Sequence, residues 1–185
     1  MITDEAVVPL AQVGPSMPHT DERFALVERF LSHEARLLNN NALVSWLELL
    51  DPEIRYVIPI RTTRLPADGP GFEVTYHVDD DFGAIHGKVR RAVETGSAWA
   101  EMPQSRTRRF VTNLQLFESG TPNIVHAVSS LLVFRGRGDN AINDLLSAER
   151  QDAISIHDPS NPRLLTRQVF LDHTILPSPN LGIFL

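Results

Sequence analysis

Apolar residues in the first quarter of the chain recur every three or four positions and predict two helices. Thr20 precedes an acidic first turn and therefore predicts the N-cap of the first helix. The apolar stripe of that helix, which ends before Asn39–Asn41, consists of Phe24, Val27, Phe30, Leu31, Ala35, Leu37 and Leu38. A second, shorter helix stops at Asp51–Pro52, and its apolar face consists of Leu43, Trp46, Leu47 and Leu50. Residues 1–19 hold three prolines without any period, which predicts a flexible arm.

Further along, the pattern switches to alternation, which predicts strands. Apolar side chains alternate between Ile54 and Ile60, although Pro59 indicates a sheet edge or a bulge. Residues 61–76 contain several turn formers and predict a long excursion of the chain. A third helix is expected from about Asp80 to Glu94, with Gly96 as its terminator.

Strand patterns dominate the second half of the chain. They cover about 97–103, 106–118, 122–136, 143–157 and 164–176. Three helices followed by a run of strands predict an α+β fold in which the helices pack on one face of a strongly curved sheet. We expect one such domain over residues 20–185.

The stretch HVDDDFGAIH, from His77 to His86, places two imidazoles around three carboxylates, and two histidines with one carboxylate can hold catalytic iron. Helix geometry argues against such a site, because Asp81 and His86 would lie about 140° apart around the helix axis. A metal site would need His77 together with a ligand from elsewhere. We favour the alternative that Asp79–Asp81 cap the third helix, where carboxylates accept backbone N–H groups and meet the positive end of the dipole.

His126 lies inside a predicted central strand, where it could point into a cavity as a general base or simply be a buried structural histidine. The chain has no GxSxG elbow and no glycine-rich phosphate loop. A cluster of arginines begins the strand at 106–118 and consists of Arg106, Arg108 and Arg109. It is either a solvated edge that discourages aggregation or a patch of salt bridges between subunits. The apolar ending with Phe184 and Leu185 predicts that the tail docks on its own core or on a neighbour.

Composition excludes several classes of function. Without cysteine, the chain cannot form disulfides, thiolate zinc sites or a Rieske centre, which needs two cysteines and two histidines. A formal charge of −6 argues against non-specific nucleic-acid binding. No apolar run approaches the ~20 residues of a membrane span, and the acidic first residues do not resemble a secretory signal, so we expect a cytoplasmic protein.

Several segments, in order, resemble the small (beta) subunit of aromatic ring-hydroxylating dioxygenases. They are FLSHEARLLNN, WLELLDPEIRYVIPIR, AWAEMPQSRTRRFVTNLQL, SSLLVFRGRGD, SAERQDAI, RLLTRQVFLDHTIL and NLGIFL. The resemblance covers about residues 24–185, with departures at 61–76 and 157–163. Its most specific parts are PQSRTRR before VTN, the glutamate–arginine–x–aspartate at 149–152 and the NL-x-IFL ending.

This resemblance implies a cone-shaped, cystatin-like α+β fold similar to those of ketosteroid isomerase and scytalone dehydratase. It implies a large (alpha) subunit that carries a Rieske [2Fe-2S] cluster and mononuclear iron, assembled as three large and three small chains. The complex would convert an aromatic compound to a cis-dihydrodiol with O2 and electrons drawn from NADH through a reductase, with or without a ferredoxin. The present chain would carry no catalytic residue, cofactor or metal, and we expect its subunit contacts at Arg106, Arg108, Arg109, Arg150, Phe184 and Leu185.

The alternative is a stand-alone isomerase or dehydratase, or a ligand-binding protein, of the same cone fold. Such an enzyme needs a buried general base whose pKa is raised by an apolar cavity. The candidate bases are His126, Asp79 and His77.

Overall fold

Two helices, two strands, a third helix and four further strands follow one another along the chain. The computed structural model describes residues 14–63, 71–94, 104–139, 143–177 and 181–185. The helices are α1 (Glu22–Asn39), α2 (Leu43–Leu47) and α3 (Phe82–Glu94). The strands are β1 (Leu50–Arg61), β2 (Phe72–Asp81), β3 (Arg106–Glu118), β4 (Ile124–Gly136), β5 (Asn143–Ser155) and β6 (Arg163–Leu171).

The first helix forms where its apolar period predicts it, with one correction at its start. Its N-cap is Asp21 and not Thr20, because an Asp21 carboxylate oxygen accepts the backbone N–H of Arg23 at 3.0 Å. The stripe of α1 is buried except for the partly exposed Leu37. Trp46 of α2 is completely buried and fixes this short helix against the same core.

The six strands form one mixed sheet in the order β2-β1-β6-β5-β4-β3. Only β1 and β6 pair in parallel, and the other neighbours are antiparallel. Pro59 lies at a shift of register between β1 and β2, so it marks a bulge and not an edge. A second shift, between Thr112 and Gln115, surrounds Asn113, whose φ of 53° is left-handed. These features confirm the α+β prediction with a sheet of mixed direction.

The predicted excursion over 61–76 is wrong for its last five residues, and the third helix begins two residues later than predicted. Residues 72–81 form β2, which pairs with β1, and α3 begins only at Phe82. The predicted strand over 97–103 and the terminator Gly96 lie outside the described residues.

Residues 15–17, assigned to the flexible arm from the sequence, instead extend the edge of the sheet. Met17 donates its N–H to Leu116 at 2.8 Å, and Glu118 donates to Pro15 at 3.1 Å. A Cβ on Gly14 would lie 1.9 Å from the carbonyl oxygen of Glu118, so only glycine permits this close approach. Met17 is buried in the core as a result.

The core lies between one face of the sheet and the helices. Its buried side chains come from all three helices and from five of the six strands. The sixth strand, β2, contributes the partly buried Val78, which packs against this core. We call the sheet face toward this core the inner face and the opposite one the outer face. Among the described residues, no helix is long and apolar enough to cross a membrane.

Candidate functional site

Four charged side chains meet on the inner face of the sheet, beneath α1. Glu34 of α1 faces Arg150 and Asp152 of β5 and Arg167 of β6. Each of the four is at most 1 % exposed. Two guanidinium groups and two carboxylates therefore share a space from which solvent is excluded, and we call these four residues the buried charge cluster.

The positions of these charges follow the same periods as the apolar core. Glu34 lies on the buried stripe of α1, three residues after Leu31. Arg150 and Asp152 are two residues apart on β5, so both point to the same face of the sheet. Arg167 lies on β6 directly opposite Asp152. The register of the sheet and the helix stripe thus bring the four groups together.

Arg167 joins both carboxylates. Its Nε and Nη2 donate to the two oxygens of Asp152 at 2.8 and 2.9 Å. Its Nη1 and Nη2 donate to the two oxygens of Glu34 at 2.6 and 2.8 Å. Such forked, charge-assisted contacts are among the strongest hydrogen bonds in proteins. Trp46 adds a fifth contact, from its indole Nε1 to Glu34 at 3.1 Å.

Arg150 is held by charge and not by hydrogen bonds. Its Nη1 lies 3.4 Å from Glu34, and its Nη2 lies 3.7 Å from Asp152. None of its three guanidinium nitrogens makes a hydrogen bond to the part of the chain that the structure describes. Its contribution to the cluster is therefore electrostatic compensation of the two carboxylates.

The last residues of the sequence dock against this cluster. Leu185 is completely buried; its N–H donates to the Tyr56 hydroxyl at 2.8 Å, and that hydroxyl donates to the Leu185 oxygen at 3.1 Å. Arg167 donates to the same oxygen at 3.2 Å. Arg109 donates to the backbone oxygen of Phe184 at 2.6 Å, and the Phe184 ring packs on Trp46 with ring centroids 4.3 Å apart. The predicted docking surface for the tail is thus the chain's own core.

The arginines keep the buried carboxylates ionised. Burial alone would raise the pKa of Glu34, but Arg167 and Arg150 outweigh it and lower that pKa to about 2. Burial also lowers the pKa of Arg150, and the nearby charge of Arg167 lowers it further. For Arg167, burial is outweighed by Asp152 and Glu34, which raise its pKa well above the ordinary value.

This electrostatic arrangement is the opposite of what a general base at neutral pH needs. A carboxylate works best as a general base when its surroundings raise its pKa toward the working pH. Glu34 has a lowered pKa and accepts hydrogen bonds from Arg167 and Trp46. Because its carboxylate oxygens already accept these hydrogen bonds within the fold, Glu34 is not placed to remove a proton from a substrate.

The three candidate bases named from the sequence do not converge. His77 and Asp79 are exposed residues of β2, at one edge of the sheet. His126 is buried on β4, and three strands separate β4 from β2. Asp79 forms an ion pair with Arg55 at 3.2 Å. No pair of these residues across the sheet can act on one substrate atom without a large change of the fold.

The three carboxylates that follow His77, from Asp79 to Asp81, each make a different contact. Asp81 accepts the backbone N–H of Ala84 at 2.8 Å and so caps α3. Asp80 pairs with Lys88, and Asp79 pairs with Arg55. The capping prediction therefore holds for Asp81 alone. Within the described ranges, no three His, Asp or Glu side chains are grouped closely enough to hold a metal ion.

The six residues predicted to face other subunits fall into two groups. Arg106 and Arg108 are exposed at the edge of the sheet. The others are buried or partly buried in this chain, and they are Arg109, Arg150, Phe184 and Leu185. Their role at a subunit contact stays a prediction, and the geometry gives the buried ones contacts within the chain.

Glu34, Arg167, Tyr56 and Trp46 were missed as members of a site. A signal existed for Glu34, which interrupts an otherwise apolar helix stripe, and for Arg150 and Asp152, which interrupt the inward positions of a strand. A charge on a buried face needs a partner. Which partner it finds depends on the register of the sheet, which periodicity does not specify.

Comparison with known proteins assigns the chain to a family. The family model described as "Ring hydroxylating beta subunit" matches residues 33–178. The chain belongs to this family of beta subunits. This match confirms the resemblance of the sequence to beta subunits of ring-hydroxylating dioxygenases.

Two relatives show the breadth of the family. The chain is 35 % identical to the beta subunit of an N,N-dimethyl phenylurea N-demethylase from Sphingobium sp. (strain YBL2), over 86 % of this chain and 90 % of the relative. It is 30 % identical to the beta subunit of a biphenyl 2,3-dioxygenase from Rhodococcus jostii (strain RHA1), over 94 % and 91 %.

Two solved structures confirm the cone fold of this beta subunit. A chain of naphthalene 1,2-dioxygenase with indole bound in the active site matches with a TM-score of 0.75 and 26 % identity, over 85 % of this chain and 83 % of that one. A scytalone dehydratase-like protein from Novosphingobium aromaticivorans matches with a TM-score of 0.60 and 11 % identity, over 88 % and 95 %. The second likeness concerns the fold alone.

Proposed function

We propose that this chain is the structural subunit of a ring-hydroxylating oxygenase and takes no part in the chemistry. The observation that carries the proposal is the buried charge cluster, in which arginines neutralise both buried carboxylates and keep the pKa of Glu34 low, so that neither carboxylate is a poised base. Oxygen chemistry then belongs to a large subunit with a Rieske [2Fe-2S] cluster and mononuclear iron. The beta-subunit relatives support that partnership.

The reaction of the whole complex is oxygenation of an aromatic compound. Relatives named as biphenyl and benzene dioxygenase subunits support conversion of an arene to a cis-dihydrodiol, with O2 and electrons that originate from NADH. The higher identity to a phenylurea N-demethylase subunit favours oxidative N-demethylation as a second candidate. The two are separated by their products, a diol of the intact ring or a demethylated amine.

We further propose an assembly of three large and three small chains in the cytoplasm. In it, three copies of this chain contact one another and each contacts a large subunit. A chain whose own interior is rigidly cross-linked by ion pairs suits such a role, because a preorganised surface loses little conformational entropy on binding.

The test is co-expression with a large subunit from an adjacent reading frame that shows C-x-H and C-x2-H Rieske spacing. Native mass, iron content and turnover of biphenyl and of an N,N-dimethyl phenylurea are then measured with and without this chain. We expect iron and turnover to require the large subunit, and this chain to stabilise the assembly. Isomerase or dehydratase turnover by this chain alone, abolished by His126→Gln, would contradict the proposal.

A further inference from the structure

The inner face of the sheet holds one more buried positive charge than its buried carboxylates neutralise. The buried charge cluster is itself neutral, with two guanidinium groups and two carboxylates. Arg109 lies on the same face, is 6 % exposed and forms no ion pair with the described residues. By contrast, the buried Arg135 has a carboxylate oxygen of Asp144 within 3.8 Å. Together with Arg109, the cluster therefore carries one uncompensated positive charge.

Arg109 is close enough to the cluster to share its electrostatics. Burial lowers the pKa of Arg109 to about 10, and the charges of the cluster act on the same pKa in both directions. Arg109 and Arg167 also hold adjacent residues of the docked tail, through the backbone oxygens of Phe184 and Leu185. A buried charge without a counterion is strongly unfavourable, so we expect a third anionic group in this region.

Arg150 has the donors that such a group needs. Its side chain is completely buried, yet its Nε, Nη1 and Nη2 make no hydrogen bond with the part of the chain that the structure describes. Its contacts to Glu34 and Asp152, at 3.4 and 3.7 Å, are longer than the roughly 2.7–2.9 Å of charge-assisted hydrogen bonds. All three guanidinium nitrogens of Arg167 already donate to oxygens. Because buried polar groups are nearly always hydrogen-bonded, Arg150 is the arginine left to bind a further acceptor.

We propose that Arg150 binds a third anionic group, of the carboxylate class, on the inner face beside the docked tail. A carboxylate fits because the fork of a guanidinium group matches its two oxygens, and Arg167 binds both acids of the cluster in this way. The group has two possible sources, a small free carboxylate or an α-carboxylate on Leu185 when the chain ends there. Leu185 is completely buried, and its oxygen accepts hydrogen bonds from Arg167 and from Tyr56.

In this arrangement the third anion neutralises a charge that the docked tail encloses. Folding of the chain, and with it the packing of Phe184 on Trp46, then depends on that anion. The inference concerns this chain alone and does not rest on the proposed function. Its test uses the full chain without a large subunit, so failure of the inference and failure of the proposed function are distinguishable.

Extension of the chain and addition of formate distinguish the two sources. One chain ends at Leu185 and the other continues with Gly-Ser after it, and urea unfolding gives the folding constant of each. If Leu185 carries the anion, the extension should lower the folding constant at least about tenfold, and formate should recover part of the loss. If the anion is free, formate should raise the folding constants of both chains along a saturable curve. Exchange of formate for the bulkier methanesulfonate keeps the ionic strength constant.

The variant Arg150→Met tests whether either effect belongs to the proposed site. It leaves two arginines and two carboxylates in this region, so the effects of extension and of formate should each fall below about twofold. Arg29→Met is the matched control, because Arg29 is exposed on α1 and has no ion pair with the described residues, and it should keep the full response. If Arg150→Met does not fold, Arg109→Met replaces it, because it leaves the same balance of charges.

A response to extension or to formate that depends on Arg150 supports the site and identifies the source of its anion. The inference is overturned if neither the extension nor formate changes the folding constant. It is also overturned if their effects are as large in Arg150→Met as in the wild type, because the extension then acts by steric hindrance and formate acts at the surface. Circular dichroism before each titration checks that the variants are folded.

Discussion

The inner and outer faces of the same sheet hold charge in opposite ways, and two neighbouring residues of β3 show the difference. Arg109 points inward, is 6 % exposed and donates to Phe184, Asn39 and Thr107. Arg108 points outward and has no partner among the described residues. One residue along a strand therefore separates an arginine that stabilises the fold from one that is available to another chain.

The cause of the contrast is the surroundings of each charge and not its chemical type. On the inner face a charge without a partner costs several kcal/mol, so every member of the buried charge cluster is compensated within the chain. On the outer face water solvates an unpaired charge at little cost, so such a charge needs no partner within the chain. Inner substitutions should therefore reduce folding stability, and outer ones should reduce association.

The largest effect should follow from breaking the buried charge cluster. Glu34→Gln leaves Arg150 and Arg167 with one carboxylate between them, and removal of one partner from a buried ionic network costs about 3–5 kcal/mol of unfolding free energy. Urea unfolding followed by circular dichroism measures the loss. Glu28→Gln, on the exposed side of α1, is the matched control and should change stability by less than about 0.5 kcal/mol. A loss below about 1 kcal/mol for Glu34→Gln would show that the cluster is not what stabilises the inner face.

Acid should remove the contribution of Glu34 within a defined pH range. The folded-state pKa of Glu34 is about 2, below the ordinary value of 4.5, so its ionised form stabilises the folded chain. That stabilisation is complete above about pH 4.5 and is lost as the pH falls through 2. It amounts to roughly 3 kcal/mol.

The measurement compares wild type with Glu34→Gln from pH 6 to pH 2. The comparison is needed because Asp21 also has a pKa lowered to about 2, chiefly by hydrogen bonds from Arg23, and titrates in the same range. The stability difference between the two proteins should shrink as the pH falls. A difference that stays constant over this range would mean that Glu34 is not ionised in the folded chain.

The pair Arg108 and Arg109 sharpens the comparison between faces. Arg109→Met leaves the Phe184 oxygen and the Asn39 side-chain oxygen without their guanidinium donor and should cost about 2–3 kcal/mol of unfolding free energy. Arg108→Met should change unfolding by less than about 0.5 kcal/mol. Urea titrations of both variants measure these values. Equal losses in the two variants would remove the distinction between the inner and outer faces.

The elements that the sequence predicts correctly are long ones bounded by clear turn or helix-breaking residues, even where a charge interrupts their buried positions. The stripe of α1 and the long strands β3 to β5 belong to this class. The strand β2 was missed although Phe72, Tyr76 and Val78 stand at alternating positions, because turn formers precede it and three acids end it. Local sequence does not reveal that β1 offers a free edge for these residues to pair with.

The buried charge cluster could be predicted only in part. Glu34 and Arg167 are separated by 133 positions in the sequence, and their contact depends on how α1 packs on the sheet. The interruption of apolar periods indicates that these charges are buried, but it does not pair them. The sequence motif of glutamate, arginine and aspartate at 149–152 is now physically explained: Arg150 and Asp152 face inward, and Glu149 faces outward.

The smallest effect is expected for the exposed ion pair at the opposite edge of the sheet. Asp79 and Arg55 lie 3.2 Å apart, with side chains 43 % and 62 % exposed, and water screens most of their attraction. Asp79→Asn should therefore change unfolding by less than about 0.5 kcal/mol in urea and leave turnover of the assembled complex unchanged. Asp81→Asn is the variant to compare with it, because Asp81 lies in the same acidic run but accepts the N–H of Ala84 at the start of α3. A large loss of turnover for Asp79→Asn in a folded, assembled complex would return this acidic stretch to the list of catalytic candidates.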